Sequence, residues 1–514
     1  MNHIQCDDCG RVLLIHPPVV RPCEPPPGLA RLAGAVKRAG GECEVLDANI
    51  EGLLYLLHGP VDIQDTWTAR AVSHLRRNLD AMRSPATYTG VDRYAQAVSE
   101  LNRVLTQQAT AGGAQVQLAN YQDPKRSPVN SRDLRAAFES VEENPFFPYF
   151  EKRLTELMEK GRFCIAGISV NFLTQALCAF AMIGVLKRIT PRIRIMLGGG
   201  LITSWMKRPD WKNPFSGIVD ELVCGPGEQA LLSALALTGT PDLAVPDFSF
   251  FPIRQYLSPG LVLPFAASTG CYWRRCAFCP EQAEKNPYRP ISSKQVVSQV
   301  QKLVWEYRPS LLHLTDNAIS PALLKALTVN PPGAPWYGFV RVTGSLSDPD
   351  FCRALKTSGC AMLQIGLESG SQQVLDAFGK GIALRMAEKS LHCLNAAGIA
   401  TYVYLLFGTP WETGADAQET LRFTVKQSDS ISFLNLAIFN LPAYGPEAGD
   451  LITDAIDEGD LFLYQRFEHR SGWARPNVRQ FLDKTFRRHP AIAPILRRDP
   501  PVFTSNHAPF FNLL

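Results

Sequence analysis

The sequence lacks a strong excess of charge of either sign: 52 Lys and Arg against 48 Asp and Glu leave a formal net charge of +4. That is too mild to argue for a nucleic-acid partner. An apolar leader is not expected, because Gln5, Asp7 and Asp8 stand where a secretory segment needs its hydrophobic stretch. No apolar run of membrane length goes unbroken. The most apolar stretch, Cys164 to Leu186, is interrupted by Asn171, Thr174 and Gln175 and divides into a buried strand and an amphipathic helix. The 13 cysteines are odd in number and scattered, a pattern that fits a reducing cytosol and metal ligation better than a disulfide framework. Hydrophobic and charged contents of 46% and 19% are ordinary, so the 514 residues predict a soluble, cytoplasmic protein of two or three domains.

What is present is concentrated in one loop. Cys271, Cys276 and Cys279 form a C-x4-C-x2-C pattern directly after the apolar run Leu261 to Ala267, which reads as a strand. Such a loop can aim three thiolates at one place, as iron–sulfur and some zinc sites require. A structural zinc site normally closes with four protein ligands, yet no fourth Cys follows soon after Cys279, and His313 is far off. Three thiolates on a [4Fe-4S] cluster leave one iron open to a small molecule. The alternatives are a zinc loop or three unrelated core thiols. Cys6 and Cys9 form a further C-x2-C pair, but no matching pair lies nearby, and they read as incidental thiols of an N-terminal tail.

Around this loop the chain alternates strands and helices. Val12 to Ile15 is an all-apolar strand, a helix runs from Gly28 to about Ala39, and Glu44 to Asp47 is a second strand. Residues 51–158 interrupt the alternation with a largely helical insert. It resumes with strands at Cys164 to Ser169, Ile193 to Leu197 and Val219 to Val223, the expected make-up of an open parallel sheet that binds ligands at its carboxyl edge. The Pro-rich stretch 246–260 reads as an interdomain linker. Six more strands follow, at Leu261 to Ala267, Leu311 to Thr315, Trp336 to Arg341, Met362 to Leu367, Thr401 to Phe407 and Ser432 to Leu441. Ser292-x-x-Gln295 is a capping box ahead of the helical stripe Val296, Val297, Val300, Leu303 and Val304.

The cysteine loop, with the polar residues at the strand ends after it, resembles the radical S-adenosylmethionine (SAM) enzymes. Their usual spacing is C-x3-C-x2-C with an aromatic before the last Cys, here Phe278; the first gap is one residue longer in this chain. The resemblance implies a partial (β/α)6 barrel over 261–445, with Cys271, Cys276 and Cys279 holding a [4Fe-4S] cluster. It implies SAM contacts from Phe278, from Asp316 or Asn317 toward the amino group, from Arg341 toward the carboxylate, and from Glu368, Ser369, Gly408 and Pro410 in the Gly-Leu-Glu-Ser-Gly and Gly-Thr-Pro-Trp-Glu stretches. Each stretch by itself is equally a helix cap or a tight turn.

Within residues 1–245, the stretches 11–50 and 160–245, with the Ile-Ser-Val around Ser169, the Leu-Gly-Gly around Gly198 and the run from Val219 to Glu228, resemble the Rossmann-like cobalamin-binding domain that precedes one large class of these enzymes; the insert 51–158 lies outside the resemblance. Ser169, Asn171, Gly198, Gly199, Gly200, Gly225 and Glu228 are the implied cobalamin contacts, although Glu228 also suits a helix cap. An Asp-x-His-x-x-Gly motif is missing, which implies cobalt without a protein His; His16 reads as structural. The implied activity is reductive cleavage of SAM, with an electron donor of flavodoxin or ferredoxin type. Methylation of an unactivated carbon or phosphorus of a small-molecule substrate, with cobalamin, would follow. Cobalamin-assisted rearrangement or oxidoreduction is the alternative enzyme, and a non-catalytic cobalamin- or zinc-binding interaction protein the alternative of another class. Residues 446–514 are expected to be a helical extension, with neither membrane nor nucleic acid as partner. One outcome is fixed by the loose C-x2-C pair: a Cys6→Ser/Cys9→Ser protein should match its parent in zinc and iron by metal analysis.

Overall fold

The computed structural model describes residues 11–109, 113–239, 245–277, 279–445, 449, 451–454, 459–500 and 508–510. The chain divides into two compact units. The first comprises residues 1–84, 92–258 and 457–463, and the second 85–91, 259–456 and 464–514.

The first unit is built on five parallel strands: β1 (Arg11–His16), β2 (Glu42–Asp47), β3 (Ile165–Ser169), β4 (Arg194–Gly198) and β5 (Glu221–Leu222). Their spatial order is β2-β1-β3-β4-β5, so the winding reverses between β1 and β3. Val12 to Ile15 are at most 1% exposed, the result expected of a strand covered on both faces.

The insert has a physical reason. In the helix Leu173–Ile189, every residue from Gln175 to Leu186 is buried. Helices Ser131–Glu139 and Phe147–Lys160 of the insert pack on it, which is why a helix beside a sheet can be apolar nearly all round. No helix among the described residues is long and apolar enough to cross a membrane. The approach is closest at Gly184, where a Cβ would lie 2.2 Å from the Phe138 carbonyl oxygen. Most of the insert's described residues are helical, and they include one short hairpin, Gln115–Gln117 against Asn120–Gln122.

The expected linker is not free chain. Residues 245–258 lie on the first unit: the Asp247 N–H donates to Ala30 O at 2.9 Å, Lys37 pairs with Asp247 at 2.7 Å, and the Tyr256 hydroxyl donates to Asp47 Oδ2 at 2.6 Å. A buried phenol needs a partner, and Asp47 supplies it.

The second unit carries β6 (Val262–Phe265), β7 (Leu311–Leu314), β8 (Trp336–Val340), β9 (Cys360–Glu368), β10 (Ala400–Phe407) and β11 (Phe433–Ile438). All neighbours are parallel and the order is sequential, with β6 and β11 as the edges of an open (β/α)6 arrangement. Its core cluster draws Val262, Leu311, Tyr337, Met362, Ala400 and Phe433 from the first three positions of the six strands. Side chains therefore plug the amino-terminal end, and the carboxyl ends are left for chemistry. The tail is mixed rather than helical: Tyr464–Phe467 pairs antiparallel with Leu441–Pro442 and with Thr453–Asp454, ahead of the helix Arg475–Phe481.

Gly184→Ala should wedge the insert off its helix, costing roughly 1–3 kcal/mol of stability. Urea or thermal unfolding followed by circular dichroism checks this; an unchanged midpoint would show that the insert yields there freely.

Candidate active site

The cysteine loop starts from a short antiparallel ladder in which Thr269 faces Arg289 and Ser268 faces Pro290. This ladder closes the loop at its base. Gly270 takes φ +71°, and a Cβ there would stand 2.6 Å from Pro287 O, so the turn into Cys271 requires glycine. Asp316, at the end of β7, accepts from the Ala267 N–H at 3.0 Å and from the Ser268 hydroxyl at 2.5 Å. Burial raises the pKa of this carboxyl, and those hydrogen bonds oppose the rise. Asp316 thus anchors the strand leading into the loop, and Asn317 beside it is exposed.

Cys271, Cys276 and Cys279 are partly buried and line one cavity of about 710 Å³. Burial pushes the Cys279 thiol up to about 11, and the neighbouring cysteines add to this. Burial also raises Cys276, against the opposing fields of Lys380 and Arg341. Among the described residues no three His, Cys, Asp or Glu side chains converge as a single metal ion would need. A four-iron cube makes no such demand, since it offers each thiolate its own iron. The cavity wall also holds polar atoms with no partner: the Tyr272 hydroxyl, Glu281 Oε2 and Gln282 Oε1. Three thiols and unpartnered polar atoms around one space fit a bound cluster with a small polar ligand.

Arg341 is buried just after β8, with its guanidinium 3.6 Å from the centroid of the Trp273 ring and its Nη2 donating to Lys380 O. Glu368 closes β9 in the left-handed region, at φ +72°. Its carboxylate pairs with Lys380 Nζ at 2.7 Å. Strain of this kind costs about 1–3 kcal/mol and tends to sit at functional sites. Ser369 is fully buried and bonded to Thr420 Oγ1 at 3.1 Å, which ties the end of β9 to the helix Gly414–Lys426. Gly408 takes φ +76°, Pro410 is buried, and the Gly408 N–H donates to Glu412. Phe278 lies outside the described residues, as do Cys6 and Cys9. Sequence reasoning named neither Lys380 nor Trp273. Lys380 carries no motif, and Trp273 gains meaning only from a contact more than a hundred residues away.

In the first unit, the expected cobalamin residues gather at the carboxyl edge of β3 to β5. Asn171 joins two loops there, with Nδ2 donating to Ser169 Oγ at 3.2 Å and Oδ1 accepting from the Gly200 N–H at 2.9 Å. Gly199 has φ +106°, and a Cβ would lie 2.4 Å from Val170 O. Gly198 packs against Val223. Gly225 has φ +81° and open space beside its α-carbon. Glu228 is buried and pairs with Arg31 at 2.6 Å, and no side-chain cap opens its helix. His16 ends β1 and is buried, and burial depresses its pKa. Phe172, 52% exposed on the same edge, is an apolar surface that the glycine motifs did not reveal.

Residues 267–424 match the Radical SAM superfamily. An uncharacterized methyltransferase of Pyrococcus horikoshii is 24% identical over 195 residues, 36% of this chain and 41% of that one. The anaerobic magnesium-protoporphyrin IX monomethyl ester cyclase of Cereibacter sphaeroides is 24% identical over 266 residues, 49% of this chain and 42% of its own. The matched stretch therefore spans less than half the length of either curated relative. Among solved structures, the radical SAM methyltransferase TsrM of Kitasatospora setae, with cobalamin and a [4Fe-4S] cluster bound, has a TM-score of 0.53. It is 16% identical, with 92% of this chain and 85% of that chain covered. At that identity the likeness shows a shared fold.

Glu412 offers a test of the strand-end geometry. Burial holds its carboxyl up to about 7, although the Gly408 N–H and the Trp473 indole N–H, the latter at 2.9 Å, favour the charged form. A raised carboxyl keeps its proton in the folded state while the unfolded chain ionises. Stability should therefore fall as pH rises from about 4.5 to about 7, by up to roughly 3 kcal/mol, and level off above. Urea midpoints across this range should show the slope in the parent, and Glu412→Gln should flatten it.

Proposed function

We propose that this chain, whose residues 267–424 are a radical SAM domain, is a cobalamin-dependent enzyme that methylates an unactivated carbon or phosphorus of a small-molecule substrate. The observation that carries the reading is the stapled loop that brings Cys271, Cys276 and Cys279 to one cavity at the carboxyl end of a (β/α)6 unit. A [4Fe-4S] cluster with SAM supplies a 5′-deoxyadenosyl radical when it is reduced, and cobalamin supplies a transferable methyl group.

The chain's own residues have assignable tasks. Cys271, Cys276 and Cys279 would hold the cluster. Arg341 and Lys380 are the cations nearest in effect to Cys276, and the Arg341 guanidinium suits the SAM carboxylate. Asn317, exposed at the end of β7, and Glu368 are the acceptors at hand for the SAM ammonium. Gly408 and Pro410 offer a surface without bulky side chains. In the first unit, the bare edge formed by Gly198 to Gly200 and Gly225 suits a broad flat cofactor, and Phe172 gives it an apolar contact. A one-electron donor of flavodoxin or ferredoxin type is needed to reduce the cluster. The Cereibacter relative is named a cyclase, which favours cobalamin-assisted ring chemistry without methyl transfer as the second reading.

Anaerobically reconstituted protein with cobalamin should convert SAM to 5′-deoxyadenosine under dithionite, and Cys276→Ala should abolish that cleavage. Persistent cleavage in the variant would overturn the ligand assignment. Labelled methyl from SAM appearing in product supports methyl transfer, and 5′-deoxyadenosine formation without it supports the ring chemistry.

A further inference from the structure

The first cysteine gap holds four residues, and one of them is locked to a turn distant in sequence. Trp273 donates its indole N–H to Gly379 O at 2.9 Å. Its ring lies so close to Gly381 that a Cβ there would stand 2.4 Å from it. Gly379 gives way in the same manner, since its Cβ would lie 2.6 Å from Arg275 O. Both glycines have positive φ, +63° and +64°. Gly379-Lys380-Gly381 is therefore a seat shaped for the cysteine loop, with the cation at its centre. The Ala277 N–H donates to Phe378 O at 2.9 Å, so Cys276 is bracketed by contacts to this turn on both sides. Arg274, at φ +51°, makes the reversal that a longer gap needs. Arg341 stacks on Trp273 and donates to Lys380 O, so one indole organises two cations.

We propose that Trp273 is a positioning residue for the reduction of the cluster: seated in the Gly379-Lys380-Gly381 turn, it holds Arg341 and Lys380 where their positive charge favours the one-electron-reduced state at the Cys276 corner. The inference rests on the cluster reading above. The step is the gain of one electron by the cluster from a low-potential one-electron donor, with no bond made or broken in the protein. Charge and exposure around an iron–sulfur cluster set its potential.

The test is a dithionite titration of reconstituted protein without SAM, followed by electron paramagnetic resonance. Iron and sulfide are counted in each sample. Trp273→Ala should lower the ratio of reduced to oxidised cluster at fixed potential roughly tenfold, a shift of about 59 mV for one electron. Arg341→Gln should do the same, and the double variant should fall short of the sum of the two single shifts, because part of the Trp273 effect runs through Arg341. A fully loaded Trp273→Ala protein with the parent's potential overturns the proposal, as do additive shifts in the double variant. If Trp273→Ala does not take up iron, Trp273→Phe decides. It keeps the ring under Arg341 but loses the N–H bond, so a smaller shift in the same direction supports the proposal and no shift overturns it. A parent that takes up no iron instead overturns the cluster reading itself.

Discussion

Among the described residues of 271–279 none lies in regular secondary structure, so the positions of the three sulfurs depend on what grips the loop from outside. Four grips do this, and one is the bond from the Trp273 indole N–H to Gly379 O. The Asp316 carboxylate holds the Ala267 N–H and the Ser268 hydroxyl, the Thr269–Arg289 ladder closes the base, and Phe378 O holds the Ala277 N–H. Each comes from a strand end or the turn after a helix of the second unit. The sheet thereby sets the loop, and the loop sets the ligands. Losing the Asp316 anchor would free the base while leaving every cysteine in the sequence, which is why a motif alone does not make a site.

A second constraint is electrostatic. Burial favours the neutral thiol at Cys276 and Cys279, whereas a cluster needs thiolates. Lys380 and Arg341 oppose that tendency at Cys276. Glu368 then balances Lys380, at the cost of a left-handed backbone. The charge at this end of the unit is a set of coupled compromises, and no member can be read as a ligand contact or a structural contact alone.

Much of the fold was legible in the sequence because parallel strands covered on both faces are near-continuous apolar runs: Val12 to Ile15 has no polar residue, and Met362 to Leu367 is broken only by Gln364 and Gly366. The cysteine spacing, the strand-end glycines and Glu368 were legible too, since they are local patterns. What escaped depends on contacts distant in sequence. The 245–258 stretch looked like a linker, but the Tyr256 hydroxyl and Asp247 bind partners more than two hundred residues away. The tail's strands were hidden because Tyr464–Phe467 is too short for a period to show. Asp316 or Asn317 was expected to face a ligand, and the geometry adds that both Asp316 oxygens hold Ala267 and Ser268, just ahead of the cysteine loop. Lys380 sits between two glycines and belongs to no motif.

In the first unit the same logic holds at a parallel-sheet edge, where Asn171, Gly199 and Gly200 tie the loops after β3 and β4 into a bare surface. The central claim, however, concerns iron with one open corner. Its most direct measurement is the paramagnetic resonance spectrum of the dithionite-reduced, reconstituted protein before and after adding SAM. The account predicts the signal of a reduced four-iron cluster that changes when SAM binds the iron left without a cysteine. Absence of that signal in oxygen-protected protein, or a signal indifferent to SAM, would contradict it.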